Sequence, residues 1–165
     1  MAFLDKINVI VVDFTAHCNA MCGNCSRNID GVSVNPHMPL SHMDLETWKK
    51  IIDSAEGIEE IIFNGAYGDP LMNPNLIPAL KYAKKLKCKI MIHTNGGIGK
   101  PNMYRMIAQE LKNFSQGVIT FSIDGLEDTN HLYRRNVIWK RIIDNASAFI
   151  DAGGLARWRM LVFDH

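Results

Sequence analysis

The chain has 165 residues, a net charge of +1, and 47% hydrophobic and 21% charged residues. This length is enough for one domain with a sizeable core, and the composition is that of an ordinary globular protein. We find no apolar run of the roughly 20 residues that a membrane span needs, no secretory signal, and no block of like charges that would indicate nucleic acid binding.

The first elements in chain order are a strand, a loop and a helix. Residues 7–15 are nearly continuous Ile, Val and Phe, which predicts a buried strand. A cysteine-rich loop follows, and residues 26–43 are rich in Gly, Pro, Asn and Ser, which indicates an irregular connection. Asp44 is the expected N-cap of a helix over 45–56. Its apolar residues share one face: Leu45, Trp48, Ile51, Ile52 and Ala55.

The rest of the chain alternates strands with helices. The further predicted strands are short apolar runs: 59–64, 88–94, 117–123 and 156–163. The further predicted helices have apolar residues at helical spacing: 75–86, with Pro78 in the first turn, 102–113, with Met103, Met106, Ile107 and Leu111, and 137–151, with Ile138, Ile142, Asn145 and Phe149. This alternation predicts an α/β fold with a parallel sheet, built of about four βα units plus a fifth strand.

Residues that suit chemistry follow the first four predicted strands. The cysteines follow the first strand, Gly68-Asp69 the second, Thr94-Asn95 the third and 122–124 the fourth. Ligands of parallel α/β sheets bind at the carboxyl ends of the strands. The sequence therefore predicts a single site at this edge.

Three cysteines, Cys18, Cys22 and Cys25, have the spacing C-x₃-C-x₂-C. A disulfide framework would spread its cysteines over larger loops, so we interpret these as reduced metal ligands of a cytosolic protein. Cys88 is expected to be a small buried residue. A structural zinc ion or a fully protein-ligated [4Fe–4S] cluster needs four ligands. A zinc site completed by His17 or by a distant residue stays open, because thiolates suit zinc and iron–sulfur alike.

The cysteine spacing resembles that of the radical S-adenosylmethionine (radical SAM) superfamily. In that family the three cysteines bind three irons of a [4Fe–4S] cluster, and the amino and carboxylate groups of S-adenosylmethionine (SAM) chelate the fourth. The resemblance covers about residues 7–163, and it implies that the parallel strands form a partial (βα) barrel of the radical SAM type. It departs from the family at Asn24, where an aromatic residue often covers the cluster.

Two further segments share this resemblance. Residues 67–70, Tyr-Gly-Asp-Pro, stand where the family has Gly-Gly-Glu, which implies that Gly68 and Asp69 bind the methionyl ammonium; an ordinary turn is the alternative. Thr94 and Asn95 match a threonine–asparagine–glycine segment and are expected to line the pocket for cofactor or substrate. His93 points away from Thr94 in a strand and is expected in the core or against a helix.

The stretch 122–135, SIDGLEDTNHLYRR, resembles the family's SIDG…H…R segment. This implies that Ser122 and Arg135 hold the cofactor carboxylate. Arg134 competes with Arg135 by one residue, and a solvated basic pair is the alternative. Arg27 is a candidate contact for an anionic substrate, or a solvated residue.

The function implied by the resemblance is reductive cleavage of SAM to a 5′-deoxyadenosyl radical that abstracts hydrogen from an unknown substrate. An electron donor such as flavodoxin or ferredoxin is expected, and residues 143–165 are similar to the SPASM/twitch branch, which suggests a peptide or a small molecule as substrate. The rival interpretation is a non-catalytic zinc or iron–sulfur module. Radical SAM cores usually have six βα units, so 1–165 is expected to be a core domain truncated after strand five, with a partner or second copy covering the open sheet edge.

Overall fold

The structure is a computed structural model, and it describes residues 7–163. Its strands in chain order are β1 (Val9–Asp13), β2 (Asn28–Ile29), β3 (Ser33–Val34), β4 (Glu60–Asn64), β5 (Lys89–Thr94), β6 (Gln116–Ser122) and β7 (Leu155–Arg159). Its α-helices are α1 (Leu45–Asp53), α2 (Leu76–Ala83), α3 (Pro101–Leu111), α4 (Asn130–Tyr133) and α5 (Trp139–Asp151). Two 3₁₀ turns, Pro70–Met72 and Lys84–Leu86, flank α2.

Five strands form one sheet in the order β1-β4-β5-β6-β7, and every neighbouring pair is parallel. Ile61 of β4 pairs with Ile10 on one side and with Ile90 on the other. The predicted α/β fold with a parallel sheet is confirmed, with β1 at one edge and β7 at the other.

The two faces of the sheet differ in burial. In β4, Ile61 and Phe63 are fully buried in a core shared with residues of α1, α2, α3 and α5, whereas Ile62 and Asn64 of the opposite face are half-buried. The helices therefore cover one face, as right-handed crossovers in a curled sheet require. The opposite face is the concave side.

An aromatic cluster anchors the start of the cysteine loop. Phe14, directly after β1, is fully buried, and its ring lies 5.6 Å from the Trp48 ring and 5.3 Å from the Phe63 ring in edge-on contacts. The Trp48 indole donates to Ala79 O at 3.0 Å. The loop therefore leaves the sheet from a fixed point in the core.

The first and last strands differ from their predicted extents. The predicted buried strand 7–15 is β1, Val9–Asp13, and Val11 is 60% exposed because helices cover only one face of this edge strand. The predicted strand 156–163 is β7, Leu155–Arg159, and 160–163 are not part of a strand.

The region 26–43, predicted to be irregular, contains the β2–β3 hairpin. Asp30 and Gly31 in its turn have φ values of 50° and 66°. Asp-Gly is the sequence signal for such a turn, because both residues tolerate the left-handed conformation.

The helices lie where they were predicted, but the residues predicted to form their buried faces are not all buried. Asp44 caps α1, since its Oδ1 accepts from Thr47 N at 2.8 Å. In α3, Tyr104 and Ala108 are buried, whereas Met106 is 42% exposed. Ile138, predicted to be on the apolar face, is the exposed residue before α5. Within residues 7–163, no helix has the length and apolarity for crossing a membrane.

Candidate metal and cofactor site

A cavity of about 340 Å³ opens at the carboxyl ends of the strands. Small-molecule sites typically measure about 300–1,000 Å³. Its wall includes all three clustered cysteines, the loop after β4, the ends of β5 and β6, and residues from α4 onward. The predicted single site at this edge is therefore a physical cavity.

The sulfur atoms of the cysteines receive hydrogen bonds from several parts of the chain. Ala20 N donates to Cys18 Sγ at 3.4 Å, and Asn95 Nδ2 lies 3.6 Å from the same sulfur. Arg134 Nη1 lies 3.7 Å from Cys22 Sγ. Donors of this kind stabilise thiolates, which are the metal-binding form of cysteine.

Burial favours the protonated form of two of these cysteines, Cys18 and Cys22. It raises the pKa of Cys18 to about 12, with a further contribution from the charge of Asp69. Burial also raises the pKa of Cys22, although the nearby Arg134 opposes this. A metal must therefore displace protons when it binds, which is the usual coupling of metal affinity to pH.

The cysteines share the cavity without converging on one point. Among residues 7–163, no group of three His, Cys, Asp or Glu side chains could hold a single metal ion. A zinc ion needs its thiolates within about 2.3 Å of one centre. In an iron–sulfur cluster each cysteine binds a different iron, so three spaced thiols fit a cluster better than a single ion.

The cysteine loop packs directly against the loop after β4. Asp69 N donates to His17 O at 2.8 Å. A Cβ on Gly68 would lie 2.2 Å from Thr15 O, so only glycine allows this approach. Asn73 Nδ2 donates to Phe14 O at 2.7 Å and ties the same two segments together.

The Asp69 carboxylate joins the loop after β4 to the end of β5. Its Oδ2 accepts from Thr94 Oγ1 at 2.9 Å and from Asn95 N at 2.8 Å, and its Oδ1 accepts from Leu71 N at 3.1 Å. Burial raises its pKa to about 6, against the opposing effect of these hydrogen bonds. The side chain is 4% exposed at the cavity wall, so an ionised Asp69 would attract a bound cation.

Arg134 and Arg135 occupy different environments. Arg135 is exposed, does not line the cavity, and donates through Nη1 to Asp30 O at 3.1 Å and Gly31 O at 3.3 Å. Arg134 lines the cavity and pairs with Asp124 at 2.5 Å. The structure therefore does not bring Arg135 to the other candidate residues, and its neighbour takes that place.

Arg159 is a cavity residue that the sequence did not reveal. It ends β7, its register partner is Ser122, and both line the cavity. Arg27 also lines the cavity, but it is buried and its guanidinium donates to Ala16 O and Asn28 Oδ1, both at 3.0 Å. Arg159 therefore differs from the other cavity arginines in having no side-chain hydrogen bond or ion pair within the described chain. Only knowledge of the strand order could have placed it here.

Two more cavity residues correct or extend the sequence interpretation. His93 lines the cavity, so the expectation that it faces the core or a helix is wrong, and its buried Nδ1 finds no hydrogen-bond partner within 7–163. Asn24 is exposed, whereas Tyr133 lines the cavity close enough to Cys22 for that cysteine's charge to help raise the tyrosine pKa, after burial. Tyr133 therefore supplies an aromatic ring near the cysteines.

Comparisons with known proteins agree on one family and one fold. The sequence model of the Radical SAM superfamily matches residues 12–163. Fe-coproporphyrin III synthase from Methanosarcina barkeri is 28% identical over 132 residues, which are 79% of this chain and 30% of that protein.

Solved structures of similar fold include Streptococcus suis SuiB bound to S-adenosylmethionine, with a TM-score of 0.76 and 19% identity over 96% of this chain and 35% of SuiB. SuiB bound to the precursor peptide SuiA gives a TM-score of 0.73 and 20% identity, over 96% of this chain and 34% of that one. Methylornithine synthase (PylB) gives a TM-score of 0.63 and 11% identity, over 91% of this chain and 43% of that one. The chain spans about a third of the length of the synthase and of SuiB.

Proposed function

Because the chain belongs to the radical SAM superfamily, we propose that it is the core of an enzyme that binds a [4Fe–4S] cluster and SAM. When bound and reduced by an external donor, the cluster would supply one electron to the sulfonium of SAM, and cleavage of a carbon–sulfur bond would give methionine and a 5′-deoxyadenosyl radical able to take hydrogen from a substrate. The observation that carries the proposal is the shared cavity, in which the three cysteines meet the ends of β4, β5 and β6.

Cys18, Cys22 and Cys25 hold the cluster. Their loop is held in place by Gly68 behind it and by Arg27 beneath it. Asn95 and Arg134 donate to two of the three sulfurs. The chain thus positions the ligands and partly offsets the negative charge of the thiolates.

The methionyl ammonium of SAM binds beside Gly68 and Asp69. Backbone carbonyls near the glycine accept hydrogen bonds from the ammonium, and ionised Asp69 supplies a negative charge. Thr94 and Asn95 act through Asp69, because both donate to its Oδ2. In this arrangement Thr94, which ends β5, and Asn95, which follows it, position the acidic side chain and also line the pocket.

The carboxylate of SAM binds at Ser122 together with Arg159, in place of Arg135. Ser122 and Arg159 are register partners on the cavity face of β6 and β7. Arg134 pairs with Asp124 and Arg27 with backbone carbonyls, so their donors are largely occupied. Arg159 keeps its guanidinium available for a bidentate carboxylate.

The electron comes from a donor such as flavodoxin or ferredoxin in the cytoplasm, where cysteines stay reduced. The substrate is proposed to be a peptide or a small molecule. SuiB has been seen with a precursor peptide, and the Methanosarcina protein is named for an iron porphyrin. Exposed apolar residues on the edge strand β7, Leu155 and Trp158, support a partner or second copy along that edge.

Anaerobic reconstitution with iron and sulfide tests the proposal. We expect a brown protein with about four irons, and release of 5′-deoxyadenosine and methionine from SAM after addition of dithionite, measured by mass spectrometry. Cys22→Ala should abolish both, whereas Cys88→Ala, at the opposite end of β5, should retain both. A colourless protein that binds zinc stoichiometrically and does not cleave SAM would instead support the non-catalytic module.

A further inference from the structure

Arg134 stands between a cluster cysteine and a buried carboxylate. Its Nη1 lies 3.7 Å from Cys22 Sγ, and its Nε donates to Asp124 Oδ2 at 2.5 Å. The two side chains are 18% and 1% exposed. The ion pair is therefore largely shielded from solvent, and its positive end faces the sulfur.

Asp124 is itself held from two sides. Its Oδ1 accepts from Leu161 N at 2.8 Å, and its backbone N–H donates to Asn130 Oδ1 at 3.0 Å. The backbone N–H of Arg134 donates to Asn130 O at 2.8 Å. The guanidinium is thus aligned by residues at the end of β6, in α4 and after β7.

The cysteines differ in the charge of their side-chain donors. Cys18 is approached by the neutral amide of Asn95 at 3.6 Å. Cys22 is approached by a cation at 3.7 Å. Hydrogen bonds to cluster sulfurs and nearby charge are two of the factors that set the potential of iron–sulfur clusters.

We propose that Arg134, aligned by Asp124, is a positioning residue that raises the reduction potential of the cluster through its contact with Cys22; this inference rests on the proposed function. One electron from an added reductant takes the cluster from the 2+ to the 1+ state and adds one negative charge. A guanidinium that donates to the cysteine sulfur stabilises the more negative state more strongly. Arg134 therefore makes the cluster easier to reduce.

The test is a redox titration of reconstituted protein without SAM, with dithionite and mediators, followed through the electron paramagnetic resonance signal of the 1+ state. Arg134→Met should disfavour reduction by about tenfold, which is about 59 mV for a one-electron couple. Arg134→Lys keeps the positive charge but lacks the planar guanidinium that bridges Asp124 and Cys22. The reduction potential of this variant should therefore lie between those of the wild type and Arg134→Met. Arg135→Met is the matched control and should match the wild type. The Arg135 side chain donates to hairpin carbonyls, and its bond to the cysteine loop comes from its backbone carbonyl, which accepts from Met21 N at 3.0 Å and is retained in the variant.

Equal potentials in the wild type, Arg134→Met and Arg134→Lys would overturn the inference, as would a shift in Arg135→Met as large as that in Arg134→Met. The midpoint is independent of how many molecules carry a cluster, so partial loading does not obscure it. If Arg134→Met takes up no iron, the lysine variant and Arg134→Gln decide the question. A wild type that binds zinc removes the proposed function, whereas a normal cluster with unchanged variant potentials contradicts this inference alone.

Discussion

Asp69 accepts a hydrogen bond from Thr94 Oγ1 at 2.9 Å, and this contact joins the loop after β4 to the end of β5. The same carboxylate is our candidate partner for the SAM ammonium. Its two roles differ in what they require, because the hydrogen bonds position the loop and the negative charge attracts a cation.

The pH dependence of SAM binding should report the charge of Asp69. Burial raises its pKa to about 6, so the carboxyl is ionised above that pH and becomes neutral below it. A bound cation favours the ionised form. SAM affinity should therefore fall as pH drops below 6, by at most about tenfold per pH unit.

Asp69→Asn should bind SAM weakly at pH 7 and show a flat profile between pH 7 and 5. Equilibrium binding to the reconstituted protein, without reductant, measures both. A wild-type affinity that stays constant over this range would show that the ammonium is not bound by this charge. The variant also distinguishes an effect of Asp69 on the pH profile from an effect of His93, whose pKa is lowered by burial.

Replacing Arg159 should weaken the binding of SAM without weakening the binding of decarboxylated SAM. The carboxylate loses a charged hydrogen bond in Arg159→Gln, which corresponds to about 10- to 100-fold in affinity. Decarboxylated SAM lacks the group and should bind the variant and the wild type equally. Arg157→Gln is the control, since Arg157 lies two residues earlier on β7 and does not line the cavity. Equal weakening of both ligands would mean that Arg159 only shapes the site.

Tyr133 is expected to protect the cluster from oxygen. Its ring lies at the cavity, and it packs 4.7 Å from the Phe163 ring. Tyr133→Ala should load iron normally under argon but lose the cluster absorbance several-fold faster in air. Tyr82→Ala removes a ring whose hydroxyl bonds to Asp53 at 2.9 Å, away from the cavity, and should behave as the wild type. If the cluster absorbance decays at the same rate in all three proteins, Tyr133 does not protect the cluster from oxygen.

Gly68→Ala should impair both stability and iron loading. Its Cβ would lie 2.2 Å from Thr15 O, and relief of such overpacking costs roughly 1–3 kcal/mol. Gly23→Ala is a stringent control, because Gly23 lies within the cysteine loop and a Cβ there meets nothing within 4 Å. Thermal unfolding and iron content measure the two effects. A Gly68→Ala protein as stable and as iron-rich as Gly23→Ala would contradict the packing argument.

The family and the α/β fold could be predicted because both depend on local signals. The cysteine spacing and the strand–helix alternation can be recognised in short stretches of sequence, and so can Asp44 as the N-cap of α1. The choice between Arg134 and Arg135 was not visible. It depends on α4, which has four residues and ends at Tyr133, and on the non-helical backbone of Arg134 directly after it.

Other cavity residues depend on tertiary structure. Arg159 reaches the site because β7 pairs with β6 in one register, and no motif marks it. His93 was misplaced because the strand pattern gives two faces without saying which one faces the helices. The concave face became identifiable only when Ile90 and Ile92, on the other side of β5, proved to be fully buried.

The contact at Gly68 has a consequence for protein engineering. The cysteine segment rests on the backbone of a loop about fifty residues away in sequence, so its shape is not encoded in its own fourteen letters. A designer who grafts 14–27 onto another parallel sheet would transfer the ligands without their support. A transferable unit would have to include the loop after β4 together with Asn73, which binds the residue where the segment begins.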